Sequence, residues 1–153
     1  MTNDSSTVFV VDDDRAVVAA ITRLLRAEGY QVRSFNSAAA FLDAHDAAVV
    51  GCALLDFSLP DMDGLQIQAA LTGAHYARPV VFLSGTSNVP TSVEAMKCGA
   101  VDFLVKPVRR LALSRAIRAA IEKDTEQRQA SADQAVGYRL ERPLSTDPLA
   151  MLV

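Results

Sequence analysis

Five residues of this chain could assemble into a site for a charged ligand: Asp12, Asp13, Asp56, Ser84 and Lys106. They fall at the ends of four short apolar runs, Val8-Phe9-Val10-Val11, Cys52-Ala53-Leu54-Leu55, Val80-Val81-Phe82-Leu83 and Val101-Asp102-Phe103-Leu104-Val105. Carboxylates held a few ångströms apart repel one another, which raises their affinity for protons or for a hard divalent cation. Magnesium suits such a set, because it takes one or two carboxylates and fills its other positions with water and phosphate oxygens. With an ammonium and a hydroxyl facing a further carboxylate, the five would make a receptacle for a transferring phosphoryl group.

That chemistry requires the four run ends to meet. A fifth run, Gln31-Val32-Arg33-Ser34-Phe35, is more polar than the others and reads as an edge strand, whereas the other four read as strands covered on both faces. Between the first two runs, Val17, Ile21, Leu24 and Leu25 follow helical spacing, with Asp14 as N-cap and Gly29 as the stop. Ser37 caps a short helix carrying Phe41 and Leu42, Gly64 to Leu71 gives a third, and Asn88-Val89-Pro90 opens a fourth that Gly99 closes. The last helix runs from about Arg109 through Leu113, Ile117, Ala120 and Ile121. Strict alternation of strand and helix implies an α/β, doubly wound, five-stranded parallel sheet with helices on both faces. All carboxyl ends of such a sheet lie on one edge, where open α/β folds bind their ligands.

The composition agrees with one globular domain and an appendage. Of 153 residues, 50% are apolar and 22% charged, which argues against disorder. Fifteen basic residues against 18 acids leave a net charge of −3 and no cue for a nonspecific nucleic-acid grip. Residues 1–7 form a polar tail, and neither a signal peptide nor a membrane span is expected. Cys52 and Cys98 read as small core hydrophobes, with no zinc or disulfide pattern, so a cytoplasmic setting is expected. His45 and His75 stand singly and are not read as metal ligands. Asp61 and Asp63 read as turn residues. Beyond Asp124, residues 125–153 read as a linker or tail: Thr125 to Ala135 continues the last helix into solvent, and Gly137 and Pro143 break regular structure. The closing cluster Leu149-Ala150-Met151-Leu152-Val153 suggests a docking tail or a fragment of a longer protein.

Four motifs in order carry a family resemblance: Val11-Asp12-Asp13-Asp14, Leu55-Asp56 with Leu59-Pro60-Asp61-Met62-Asp63-Gly64, Leu83-Ser84-Gly85, and Gly99-Ala100-Val101-Asp102-Phe103-Leu104-Val105-Lys106-Pro107. Together they resemble the receiver domain of two-component response regulators over residues 8–124. The stretch from Ser84 to Pro107 is most similar to the FixJ-like branch, whose receivers usually precede a LuxR-type helix-turn-helix. The resemblance implies a CheY-like strand order 2-1-3-4-5 and makes Asp56 the residue phosphorylated by a sensor histidine kinase. By the same resemblance, Asp13 binds magnesium directly, Asp12 does so through water or assists, Asp56 itself joins them, and the Ser58 carbonyl completes the protein ligands. Lys106 and Ser84 contact the phosphoryl group. Ser84 and Phe103 form a switch that remodels the fourth helix, fifth strand and fifth helix, a face through which a homodimer could form. Ser84 stands where threonine is commoner, and keeps the hydroxyl. Val108 replaces a frequent phenylalanine.

Three other readings stand beside this one. A stand-alone receiver would relay the phosphoryl group or bind a protein partner, and a pseudo-receiver of the same fold would bind without being phosphorylated. A haloacid-dehalogenase-type phosphatase would use Asp12 as nucleophile and Asp14 as acid, leaving Asp56 idle. The stretch from Leu140 to Val153 is too short for a helix-turn-helix, so direct DNA binding is not expected of this chain.

Overall fold

The computed structural model describes residues 6–73, 76–86 and 89–144, with side chains through residue 133. Five strands, β1 (Thr7–Val11), β2 (Gln31–Phe35), β3 (Gly51–Asp56), β4 (Val80–Ser84) and β5 (Asp102–Val105), form one parallel sheet in the order β2-β1-β3-β4-β5. The helices between and after them are α1 (Arg15–Ala27), α2 (Ala38–Ala44), α3 (Gly64–Ala70), α4 (Val89–Lys97) and α5 (Arg110–Leu144). This is the expected doubly wound architecture, with the polar β2 at an edge.

Alternation along the buried strands builds two cores. Val8, Val10, Cys52, Leu54, Val81 and Leu83 face α1 and α5, meeting Ile21, Leu25, Leu113 and Ile117. Phe9, Val11, Ala53, Leu55, Val80 and Phe82 face the opposite side and meet Phe41 of α2, Ile67 of α3 and Ala95 of α4. Each large side chain so buried contributes about 1.5–3 kcal/mol, which is why the central strands carry almost no polar residue.

Local signals set the helix starts. Asp14 caps α1 by accepting from the amides of Ala16 and Val17, and Ser37 accepts from Ala40 at α2. Asp63 forms a reciprocal capping box with Gln66 at α3, and Asp61 accepts from the Ala38 and Ala39 amides at the head of α2. Asp61 and Asp63 thus act on helix ends, as turn residues do. Two glycines are required by space. A Cβ at Gly51 would lie 1.7 Å from the Thr7 carbonyl oxygen at a φ of +147°, and one at Gly64 would press on the Phe57 and Phe82 rings at 2.6 and 2.7 Å.

Three sequence expectations need correction. Gly137 and Pro143 do not end regular structure: α5 runs unbroken to Leu144, because an interior glycine costs only about 1 kcal/mol relative to alanine and Pro143 falls one residue from the helix end. Cys98 is not a core residue. It is exposed after α4, its Sγ 3.8 Å from the Glu94 carboxylate, whereas Cys52 is buried as expected. Nor does the stretch after Asp124 simply extend into solvent, since Gln127 and Arg128 bind back onto the body. His75 and Asn88 lie outside the described residues.

The apolar stripe of α5, Leu113, Ala116, Ile117, Ala120 and Ile121, continues at helical spacing onto Asp124. Asp124 is fully buried and sits at the amino-terminal edge of the sheet, where it accepts from the Gly51 amide at 3.0 Å, from Arg128 at 2.9 Å and from the Tyr76 hydroxyl. Arg78, also buried, lies 3.9 Å from Asp124 and donates to His45 Nε2 and to the carbonyls of Asp46, Val49 and Gly51. Gln127 pairs with both backbone groups of Ala77, and Arg128 reaches the carbonyls of Ala47 and Val49.

Candidate functional site

The opposite, carboxyl-terminal edge of the sheet gathers the residues singled out at the start. β1, β3 and β5 each hand their chain to a loop through one last backbone bond: Asp12 N–H to Phe35, Phe57 N–H to Leu83 and Lys106 N–H to Ser84. The side chains next to these bonds are therefore placed by the ladder and not by flexible loops. Asp12, Asp13 and Asp56 each present a carboxylate oxygen, all within 4.8 Å of one another. Asp12 and Asp56 are buried, at 1% and 6% exposure, while Asp13 faces solvent.

Lys106 projects its Nζ to 2.8 Å from Asp12 Oδ2 and 3.7 Å from Asp56 Oδ2. It precedes Pro107 across a cis peptide bond. The other Asp12 oxygen accepts from the Asp14 amide, and Asp56 Oδ1 accepts from the Ser58 amide at 3.0 Å. Burial pushes the Asp56 pKa above the ordinary aspartate range. The Ser58 amide opposes that rise and the neighbouring Asp12 charge adds to it. For Lys106, burial works against the ammonium, but the hydrogen bond it donates to Asp12 and the charge of Asp56 outweigh it and leave its pKa raised. Three carboxylates against one ammonium leave an excess of negative charge made wholly of hard oxygen donors. That donor set fits a small divalent cation of the magnesium type.

Ser84 closes the site at the end of β4. Its hydroxyl donates to the Thr86 carbonyl at 2.8 Å and accepts from the Thr86 amide at 3.2 Å, so it is engaged by its own loop. Phe103 on β5 is half-buried in an aromatic cluster, its ring centroid 5.5 Å from Phe57 and 6.3 Å from Phe82. Ser58 is exposed in the loop after Asp56, which a bridge to Asp63 holds in a turn. Asp14, exposed, caps α1 through its Oδ1, a helix-end role that accounts for its place after Asp13. His45 packs edge-on against Phe9 and Phe41, and burial, with the Arg78 charge, lowers its pKa to about 4. Its role is structural.

Sequence reasoning missed the Arg78–Asp124 cluster, whose partners are 46 residues apart. One signal was available: the α5 apolar stripe lands on Asp124 at the next turn, and a carboxylate on a buried stripe demands a partner.

Residues 8–118 match the response regulator receiver domain. This chain belongs to that family. Among curated relatives, the response regulator protein TodT of Pseudomonas putida is 40% identical over 128 residues, covering 84% of this chain and 56% of TodT. The transcriptional regulatory protein FixJ of Azorhizobium caulinodans is 42% identical over 140 residues, covering 90% of this chain and 65% of FixJ. The chain thus spans little more than half the length of the curated relatives it matches. The low-resolution structure of the response regulator StyR superposes with a TM-score of 0.82 at 38% identity, covering 93% of this chain and 70% of that one. The crystal structure of FixJ-N gives 0.70 at 35%, covering 76% and 94%. The receiver is a signalling domain of two-component systems, and the FixJ-like resemblance stands. No described helix is long and apolar enough to cross a membrane.

Proposed function

We propose that this receiver accepts one phosphoryl group on Asp56 from a phosphohistidine of a sensor histidine kinase. The observation that carries the reading is the meeting of Asp56 with Asp12, Asp13 and Lys106 at one sheet edge. In the transfer, an Asp56 carboxylate oxygen forms the new bond to phosphorus as the bond from phosphorus to the kinase imidazole breaks, and the departing imidazole takes up a proton. One Asp56 oxygen is held by the Ser58 amide, which fixes the carboxylate plane. Lys106 balances charge that builds on the phosphoryl oxygens. Asp12, Asp13, Asp56 and the Ser58 carbonyl would hold a magnesium ion, which would supply further neutralisation of that charge.

The Ser84 hydroxyl then exchanges its bond to Thr86 for one to a phosphoryl oxygen, a swap of one acceptor for another that draws the loop after β4 inward. Phe103 follows into the space this vacates, repacking α4, β5 and the start of α5. That face exposes Val89, Val93, Met96, Val105 and Leu111, which supports homodimer formation there. Receivers with FixJ-like relatives point to a transcriptional output, carried by a domain outside this chain and joined to residues 8–124 through residues 125–153, with a cytoplasmic setting.

The test is intact-mass analysis of the wild-type and Asp56→Asn proteins treated with acetyl phosphate, with and without magnesium. One metal-dependent phosphoryl adduct, absent from the variant, is the expected result. An adduct of equal yield on Asp56→Asn refutes the assignment. A folded wild-type protein that takes up none is a pseudo-receiver. Light scattering on the phosphorylated protein tests the dimer.

A further inference from the structure

The sheet edge beside β2 is open. Gln31 donates its N–H to Ser6 and Phe35 accepts from the Asp12 N–H, so these alternate residues of β2 turn their backbone groups toward β1. Val32 and Ser34 therefore point theirs out of the sheet. Above this edge a groove of about 880 Å³ runs between α1, the end of β2 and the start of α2, and Arg15, Thr22, Arg23, Arg26, Ser34 and Asn36 are among its walls. Among the described residues, none of these three guanidinium groups lies within ion-pair distance of a carboxylate. The one acid lining the groove, Asp12, is taken by Lys106 at 2.8 Å. In a chain of net charge −3, this concentration of unpaired cations is local.

We propose that the groove binds an extended acidic segment of a partner polypeptide, added as a further strand beside β2 with its carboxylates on Arg15, Arg23 and Arg26. The dimensions agree. Eleven residues of α1 separate Arg15 from Arg26, about 16 Å of helix, which roughly five residues of strand would span. Main-chain bonds to Val32 and Ser34 supply affinity, and the arginines select for acidic side chains. A nucleic-acid backbone fits less well, since its phosphates could accept from the outward N–H groups of β2 but offer no donor to the outward carbonyls. The proposal does not depend on phosphorylation of Asp56.

The test titrates the intact chain into a fluorescein-labelled peptide of alternating glutamate and threonine, with a lysine-for-glutamate peptide and a single-stranded oligonucleotide as comparison probes. Anisotropy should show binding of the glutamate peptide and none of the lysine peptide. The double variant Arg23→Glu/Arg26→Glu should weaken it at least roughly tenfold, and Arg23→Gln/Arg26→Gln by less. Both arginines are exposed, so the variants fold, and circular dichroism checks this. Hydrogen exchange at the Val32 and Ser34 amides should slow in the complex. The proposal is overturned if the glutamate peptide does not bind, if charge reversal leaves its affinity unchanged, if those two amides exchange at the free rate, or if the oligonucleotide binds more tightly.

Discussion

Replacing Asp124 with alanine removes the one carboxylate in the network at the amino-terminal edge of the sheet. Its side chain and that of Arg78 are both fully buried, so solvent cannot take its place. Removing one partner of a buried pair costs about 3–5 kcal/mol, mainly because the remaining charge is stranded. Arg78 keeps three carbonyls and His45 Nε2, which softens that cost. The Gly51 amide, by contrast, loses its acceptor inside the protein, worth about 1–3 kcal/mol. Together these give an expected loss of about 3 kcal/mol, or roughly 6–12 °C in Tm for a domain of this size. Urea unfolding followed by far-ultraviolet circular dichroism measures it as a lower midpoint at unchanged slope. Glu126→Ala, an exposed change on the same helix, should stay within about 0.5 kcal/mol. A loss under about 1 kcal/mol for Asp124→Ala would refute the reasoning. In that case α5 is held by its apolar stripe alone.

Three further outcomes are expected. Lys106→Ala should bind magnesium more tightly in calorimetry while slowing phosphorylation by acetyl phosphate, because it removes a cation that competes with the metal and assists the transfer. Gly64→Ala should destabilise the fold by about 1–3 kcal/mol in urea unfolding, since its methyl would overlap the Phe57 and Phe82 rings. His45 should give a pH dependence of defined sign. Its folded pKa, lowered to about 4 by burial and by Arg78, lies below the unfolded value of about 6.5. The unfolded chain therefore binds the extra proton between these values, and stability falls as pH drops from about 6.5 toward 4. His45→Gln keeps an acceptor for Arg78 and does not titrate, so comparing the two unfolding curves across that window should show a smaller slope for the variant.

The sheet was legible because β1, β3 and β4 are buried on both faces and so must be written as unbroken apolar runs, while β2 betrays its edge position by Gln31, Arg33 and Ser34. The placement of Asp12, Asp56, Ser84 and Lys106 followed from parallel topology alone. What escaped is what depends on distance in space. Cys98 looked apolar by type, yet the turn after α4 leaves it in water. Tyr76 and Arg78 look like ordinary surface residues, and only the meeting of the loops before β3 and β4 with α5 buries Arg78 beside Asp124 and half-buries Tyr76. The tail of α5 read as solvated for the same reason, since Gln127 and Arg128 find backbone partners that no helical periodicity encodes.

The contrast between the two cysteines has a practical consequence. Cys52 is sealed in the core, and burial drives its thiol pKa up to about 12. Cys98 is the chain's second and last thiol, and it is exposed. A maleimide dye or nitroxide added to the folded, unaltered chain should therefore attach at one position, between α4 and the strand that bears Phe103. Rearrangement of that face could then be followed by fluorescence or electron spin resonance as acetyl phosphate is added, without first removing or introducing a single cysteine.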